Sequence, residues 1–340
     1  MTKMRDSVTA PRIEAIEAFG FTERQARFLV AVMVYSGAFL ERQYCAFAGI
    51  AHGQKTHDFI RRLIDRKCVT VITPGALHRG RLFHVHFKPL YDAIGEVNNR
   101  NRRPATLGRM VERLMLLDAV LADRRHTWLG TERDKVAYFS SLIERPEWVE
   151  GELPHLTFGE GAQKTIRYFP DKFPIGLDRD YGGRHVFLYL VTQEVPAPFR
   201  MFLFRHSRVL SIAHYWTIRL VVPRRFRNAK ALYRYALRDE CSTPLRLSQA
   251  EELECVLRHR AGTTDGMEEP RYFDLAEASR RFASSRFRAR YRMWQIDPAR
   301  AITGVSSSSL RDQLERGDGR IEFMELPHQY LRLTSLIGVA

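Results

Sequence analysis

Apolar positions recur at helical spacing through the first seventy residues, and the polar positions between them mark where each helix starts and stops. Ile13 to Phe19 predicts a short helix ending at Gly20, after a loose basic arm over residues 1–12. Thr22-Glu23-Arg24-Gln25 fits a capping box, in which the Thr hydroxyl and the Gln side chain satisfy reciprocal backbone N–H groups. The helix it opens carries Ala26, Leu29, Val30, Met33 and Val34 on one face and stops at Gly37. Leu40, Tyr44 and Phe47 at i, i+4 and i+7 predict a second helix, ended by Gly49. Gly53 to Arg66, GQKTHDFIRRLIDR, predicts a third. Its buried stripe is Phe59, Ile60, Leu63 and Ile64, and its other face carries Gln54, Lys55, Thr56, His57, Arg61 and Arg62. The pattern then changes period. Val69 and Val71, then Phe83, Val85 and Phe87, alternate as in a hairpin, with Pro74-Gly75 and His78-Arg79-Gly80 at a basic tip.

Three short helices with short connections, followed by a hairpin, are the plan of a winged helix-turn-helix, here over residues 1–100. In that plan the Gly53–Arg66 helix enters the major groove of double-stranded DNA. Gln54, Lys55, Thr56 and His57 then lie nearest the bases, and Arg61, Arg62, Arg79 and Arg81 hold phosphates. Between Lys55 and Arg103 the basic residues far outnumber Asp58, Asp65, Asp92 and Glu96, an excess that a phosphate-contacting surface requires.

Gly95 to Pro104, GEVNNRNRRP, predicts a polar linker. The helix after it, Thr106 to Asp123, sets Leu107, Met110, Leu114, Leu117 and Leu121 at alternating spacings of three and four. Two readings fit this short seam: a helix packed on its own chain, or a dimer helix of a homodimer on paired half-sites. Residues 101–130 are therefore a linker helix. Residues 131–224 predict an α/β domain: a helix over Thr131–Glu144 ended by Pro146, then strands at Leu156–Phe158, Thr165–Phe169, Phe173–Leu177 and Val186–Thr192. A segment with helical spacing in its second half, Phe199–Trp216, and a strand at Arg219–Val222 complete it. Residues 225–340 are mostly helical, with helix-period patterns over Asn228–Arg238, Ser248–Arg258, Phe273–Phe282 and Ser307–Glu315. Within them, Arg280–Trp294 interleaves Phe282, Phe287, Tyr291 and Trp294 with Arg286, Arg288, Arg290 and Arg292. Such a run either stacks bases between phosphate contacts or is an amphipathic element with aromatics inward and arginines outward. The class is α+β and multidomain.

Composition sharpens the partner. Fifty-four Lys and Arg against thirty-nine Asp and Glu give a formal charge of +15 over 340 residues. A polyanion is the natural partner of such a chain, nucleic acid before membrane, although a basic surface that only aids solubility has the same composition. At 45% hydrophobic content the chain can bury sizeable cores, and no apolar run reaches the ~18 residues of a membrane span. Cys45, Cys68, Cys241 and Cys255 lie far apart with no CxxC pair, as expected of reduced thiols in the cytoplasm. The first residues lack the apolar run of a signal peptide.

Catalytic constellations are sparse. There is no GxxxxGK[ST], GxGxxG or GxSxG, so no nucleotide cofactor is expected, and no other cofactor or metal. His84 and His86 alternate on one strand without a third ligand and are read as polar wing residues. Pro170-Asp171, ahead of the hydrophobic strand Val186–Thr192, follows the order of a PD…(D/E)xK nuclease, in which two acids hold Mg²⁺ and a Lys activates water. The strand that should carry D/E-x-K reads FLYLVTQE, with no acid before Glu194 and no Lys after it. Residues 131–224 are thus expected to be a degenerate nuclease core without an intact site.

Taken together, FTERQARFLVAVMVYSGAFLERQYCAFAG, THDFIRRLIDRKCVTVI, a hairpin, FKPLYDAIG and the Pro170-Asp171 segment resemble the replication-relaxation family. These are winged-helix proteins of bacterial plasmids and integrating elements, and the resemblance covers roughly residues 15–225. The family's acidic residues on the strand matching Val186–Thr192 are replaced here by Tyr189, Leu190 and Thr192. The resemblance implies a double-stranded-DNA binder acting in replication, transfer or transcriptional control of a mobile element. Two alternatives stand beside it. One is a metal-dependent nuclease or nickase using Asp171 with Asp178, Asp180 or Glu194; the other is a protein–protein adaptor on a winged-helix scaffold.

Overall fold

Thr22 opens its helix as the spacing predicts. Its hydroxyl accepts from the Gln25 N–H (3.4 Å), and the Gln25 side chain accepts from the Thr22 N–H (3.1 Å). In a computed structural model, which describes residues 7–73, 81–142, 153–159, 161–178, 183–264, 266, 268–326, 328 and 330, this helix is α2 (Glu23–Tyr35). The protein is a mixed α+β structure, with three sheets among the described residues. Ahead of α2 lies α1 (Ala10–Glu17), which starts earlier than Ile13 because Thr9 caps it and Pro11 occupies its first turn. The basic arm is not loose where it is described. Ser7 donates to Asp134 (2.6 Å), and buried Arg12 pairs with Asp134 (2.9 Å) and Glu96 (3.2 Å).

After α2 the chain runs through β1 (Ala38–Leu40), α3 (Glu41–Ala48), α4 (Gln54–Asp65), β2 (Val69–Ile72), β3 (Leu82–Val85) and α5 (Lys88–Ala93). β3 lies between β1 and β2, antiparallel to both. Phe28, Phe39, Tyr44 and Phe59 bring α2, β1, α3 and α4 together, with the Tyr44 and Phe59 rings 4.3 Å apart. The tip between β2 and β3, with Pro74-Gly75 and His78-Arg79-Gly80, lies outside the described residues. His84 is not an exposed wing residue: it is buried on β3 and its Nε2 bonds the Asn101 carbonyl at 3.0 Å.

The predicted linker is packed into the core at its centre. Asn101, in a short 3-10 turn (Arg100–Arg102), is buried and donates to the carbonyls of Met33 (3.2 Å) and Val34 (3.0 Å) at the end of α2. Those carbonyls have no partner inside α2, so a side chain supplies one. Gly37 sits in the left-handed region (φ +70°) with the Asn101 backbone against it, leaving no room for a Cβ. The seam helix is α6 (Leu107–Ala122). Met110, Leu114 and Leu117 are fully buried, and Leu107 and Leu121 pack against the same chain's core. The seam is thus filled from within.

Five strands form the central sheet: β4 (His126–Leu129), β7 (Ile175–Asp178), β8 (Arg184–Leu190), β9 (Tyr215–Val222) and β10 (Gly319–Glu325), in the order β10-β9-β8-β7-β4. β7 runs antiparallel to both of its neighbours, β4 and β8, while β8, β9 and β10 run parallel. The parallel step from β8 to β9 needs a crossover, and α8 (Ala197–Ile212) supplies it. α7 (Glu132–Leu142) follows β4, and β5 (His155–Phe158) pairs with β6 (Thr165–Tyr168) as a separate two-stranded sheet. The expected end of the first helix near Pro146 lies outside the described residues. Tyr215 and Trp216 begin β9 rather than ending the helix before it; the Trp216 indole covers Gly319 on β10, where no Cβ would fit. One hydrophobic core runs without a break from Ile13 to Leu326, across α2, α6 and the sheet.

The last third carries α9 (Lys230–Cys241), α10 (Leu247–Ala261), α11 (Leu275–Arg281), α12 (Ser285–Trp294), α13 (Pro298–Ser306) and α14 (Ser309–Arg316), then returns to the sheet as β10. The Arg-aromatic run is α12 with the end of α11, and its arginines do not all face outward. Arg286 and Arg290, one turn apart, are buried; Arg290 bonds Glu240 at 2.6 Å and Arg286 donates to the Thr243 carbonyl at 2.8 Å. Phe282 and Trp294 are buried in a second core, so they are not a platform for stacking bases. The four cysteines are free thiols, all but Cys45 buried. Among the described residues, no helix is long and apolar enough to cross a membrane.

Candidate nucleic-acid interface

α4 is anchored by a stripe of Thr56, Phe59, Ile60 and Leu63, at i, i+3, i+4 and i+7. This corrects two assignments. Thr56 is wholly buried and its hydroxyl sits 3.3 Å from the Cys45 Sγ on α3, so it cannot reach a base; Ile64 lies off the stripe and is 37% exposed. Gln54, Lys55, His57 and Arg61 are exposed together on the outer face. Gln54 Nε2 donates to Asp58 at 2.7 Å, and Arg61 stands 3.9 Å from the same carboxylate. Such exposed pairs contribute little and exchange readily for other partners. Gly53 offers no side-chain cap, so the first N–H groups of α4 keep their polarity for solvent or a ligand.

The remaining cations are partly spent. Arg62 is half-buried and donates to the Gly20 carbonyl at 2.8 Å, holding α4 to the turn before α2. Arg66 donates to the Phe19 carbonyl and lies over the Phe21 ring. Arg81 pairs with Glu41 at 2.8 Å and covers Phe83. Arg79 lies outside the described residues.

Glu41, His52 and His57 place one ligand atom each within 4.8 Å of one another, a donor set that suits a zinc-type ion. Glu41 is already shared: His52 bonds one oxygen (2.7 Å) and Arg81 the other. Burial opposes the charge on Glu41, but those hydrogen bonds outweigh it and hold its pKa below the ordinary value. The Glu41–His52 bond therefore fastens the turn between α3 and α4 as it stands.

Asp171 and Asp178, two acids of the nuclease pattern, do not line one cavity. Asp171 lines a cavity of about 450 Å³ beside α6 and α8, whereas Asp178, at the far end of β7, lines another with Asp123 and Arg219. Glu194 is exposed, and Asp180 lies outside the described residues. Asp171 is held by Arg205 (3.3 Å). His206 Nδ1, 3.5 Å from its second oxygen, donates instead to the Phe202 carbonyl at 3.0 Å. Burial pushes His206 down to about 4, so at neutral pH it carries no charge for Asp171. Lys135, buried on α7, donates to the Phe173 carbonyl at 2.7 Å, and burial pushes it down to about 8.

The same cavity holds a residue the sequence pattern passed over. Lys172 follows Asp171 with a left-handed backbone (φ +61°), and burial together with Arg113, Arg100, Arg109 and Arg103 pushes it down to about 7. The signal was the PDK tripeptide itself, read only for its acid. Comparison with protein-family models, curated proteins and solved structures finds no match for this chain.

Proposed function

We propose that the protein is a non-catalytic, sequence-reading binder of double-stranded DNA, with residues 10–93 acting as a winged helix-turn-helix. The observation that carries this is α4: one face locked into the core by Thr56, Phe59, Ile60 and Leu63, the other offering Gln54, Lys55, His57 and Arg61 together. Amide, imidazole and cationic groups at the start of a helix are the types that read base edges and hold phosphates in the major groove. The antiparallel β2–β3 pair that follows takes the place of the wing. The charge of +15 favours the same partner.

The likeness to the replication-relaxation family supports a role in replication, transfer or transcription of a mobile element, with the central sheet serving as a nuclease-like scaffold. The separation of Asp171 from Asp178 favours binding over cleavage, since a metal-assisted cut needs its acids around one ion. A duplex-affinity titration against salt tests the proposal. Each neutralised phosphate contributes about −0.9 to the slope of log K on log salt. A slope near zero removes DNA as the partner and leaves the adaptor role.

A further inference from the structure

We propose that the cavity between α6, the Phe169–Phe173 segment and α8 is a binding site for a phosphate group, held chiefly by Lys172 and Arg113. This goes beyond the interface on α4, shares no residue with it and does not depend on it.

The first observation is uncompensated charge. Arg109, Arg113, Lys172 and Arg205 line the cavity, against Glu112 and Asp171. Arg109 pairs with Glu112 at 2.8 Å and Arg205 with one oxygen of Asp171 at 3.3 Å, while the other Asp171 oxygen is buried without a hydrogen-bond partner, so four cations face two acids. Arg113 Nη1 is buried and has no hydrogen-bond partner, and Lys172 is half-buried in the same wall. Two half-buried cations on one cavity wall, one with an unbonded buried nitrogen, are costly, and an anion seated between them offsets that cost. A phosphate matches better than a carboxylate, because its oxygens can accept from a guanidinium fork and an ammonium at once.

The second observation is backbone geometry. Phe169 (φ +45°) and Lys172 (φ +61°) both adopt the left-handed region, which L side chains rarely occupy, within four residues. The short turn is closed by the Lys172 N–H to the Phe169 carbonyl at 3.1 Å and tied to the chain before β5 by the Phe169 N–H to the Pro154 carbonyl at 2.6 Å. That turn carries Lys172 into the cavity lining it shares with Arg113. At about 450 Å³ the cavity admits a phosphate with part of what carries it. Lys172, pushed down to about 7, is poised to take up a proton when an anion arrives.

The phosphate could be free or the end of a nucleic acid, and calorimetry on the full chain separates the two. Inorganic phosphate, a 5′-phosphorylated dinucleotide and the same dinucleotide without its phosphate are titrated into chloride buffer at fixed ionic strength. Saturable binding is expected for at least one phosphorylated probe and not for the unphosphorylated one, with net proton uptake near pH 7. Binding by inorganic phosphate assigns a free ligand; binding by the dinucleotide alone assigns a strand end. Lys172→Met and Arg113→Met should each weaken binding at least tenfold. Asp171→Asn, which removes a negative charge from the wall, should tighten it and keeps the test decisive if either cation variant misfolds. The Lys55→Ala/Arg61→Ala double variant should bind phosphate as the parent does. No saturable binding, affinity unchanged in Lys172→Met, or affinity lost with Lys55 and Arg61 would overturn the assignment.

Discussion

Arg42 on α3 and Asp118 on α6 meet fork to fork, Nη1 to Oδ1 at 3.0 Å and Nη2 to Oδ2 at 2.8 Å. Asp118 is buried and also accepts from Gln43 (2.7 Å) and the Tyr330 hydroxyl (2.6 Å). The helix pair that presents the outer face of α4 is thereby fixed to the helix that runs through the core. Asp118→Ala leaves the Arg42 guanidinium and the Tyr330 hydroxyl without this acceptor, while the Gln43 amide keeps the Leu114 carbonyl at 2.9 Å. Removing one partner of a buried pair costs about 3 kcal/mol, the lower end of the usual range because Arg42 keeps some contact with water. Chemical unfolding measures this; a change under ~0.5 kcal/mol would show that the fork contributes no more than a surface pair.

Gly37 is the tightest joint between α2 and the segment before α6. Gly37→Ala must place a Cβ in the left-handed region and against the Asn101 backbone. The expected loss is about 2–4 kcal/mol from conformation and overlap together. Gly49→Ala is the control, since Gly49 shares the positive φ with open space around it and should lose only the conformational part.

Residues on α4 divide by exposure, and their effects on duplex binding should divide the same way. Lys55→Ala and Arg61→Ala should each weaken binding to all sequences and flatten the salt slope by about 1. Thr56→Val should leave the salt slope alone and act on stability, because its hydroxyl faces Cys45 inside the fold. Arg62→Ala should show both a modest loss of stability, about 1 kcal/mol for the bond to Gly20, and little change of slope. Slopes that fall with Arg62 and not with Arg61 would reverse this division.

Acid should destabilise the protein through two buried histidines. Burial pushes His185 and His206 each down to about 4, against about 6.5 in an unfolded chain. Between those values the unfolded chain binds the protons and the folded one does not, so stability rises with pH across the window and is lost as pH falls from about 6.5 toward 4. The slope approaches ~1.4 kcal/mol per pH unit for each histidine. Unfolding midpoints from pH 7 to 4.5 check this, and His185→Gln should remove about half of the dependence. A flat profile would mean both imidazoles keep their ordinary titration in the fold.

Much of the fold was legible because local spacing decides it. The capping box at Thr22, the stops at Gly37 and Gly49 and the Phe59–Leu63 stripe all follow from residues within one or two turns. Thr56 was misplaced because a hydroxyl was counted as polar surface, although its position on the stripe was set by the same spacing. β10 was missed for a different reason. GRIEFME becomes a strand by pairing with β9 about a hundred residues earlier, and no local pattern announces a partner at that distance. The inward arginines of α12 depend likewise on Glu240 from another helix, so an outward face was the default. At the candidate sites, residue types pointed to the α4 surface, while the Lys172 cavity depends on a backbone turn that composition does not reveal.

Selection of bound duplexes from a random-sequence library, at low and near-physiological salt, tests the central claim most directly. The parent protein should enrich a defined motif at both salts, and Gln54→Ala should change the preference at one or two positions of that motif while leaving the rest, at about 1–3 kcal/mol for a true base contact. Retention without any enriched motif, or a motif indifferent to Gln54 and His57, would contradict the assignment of α4 as the reading helix.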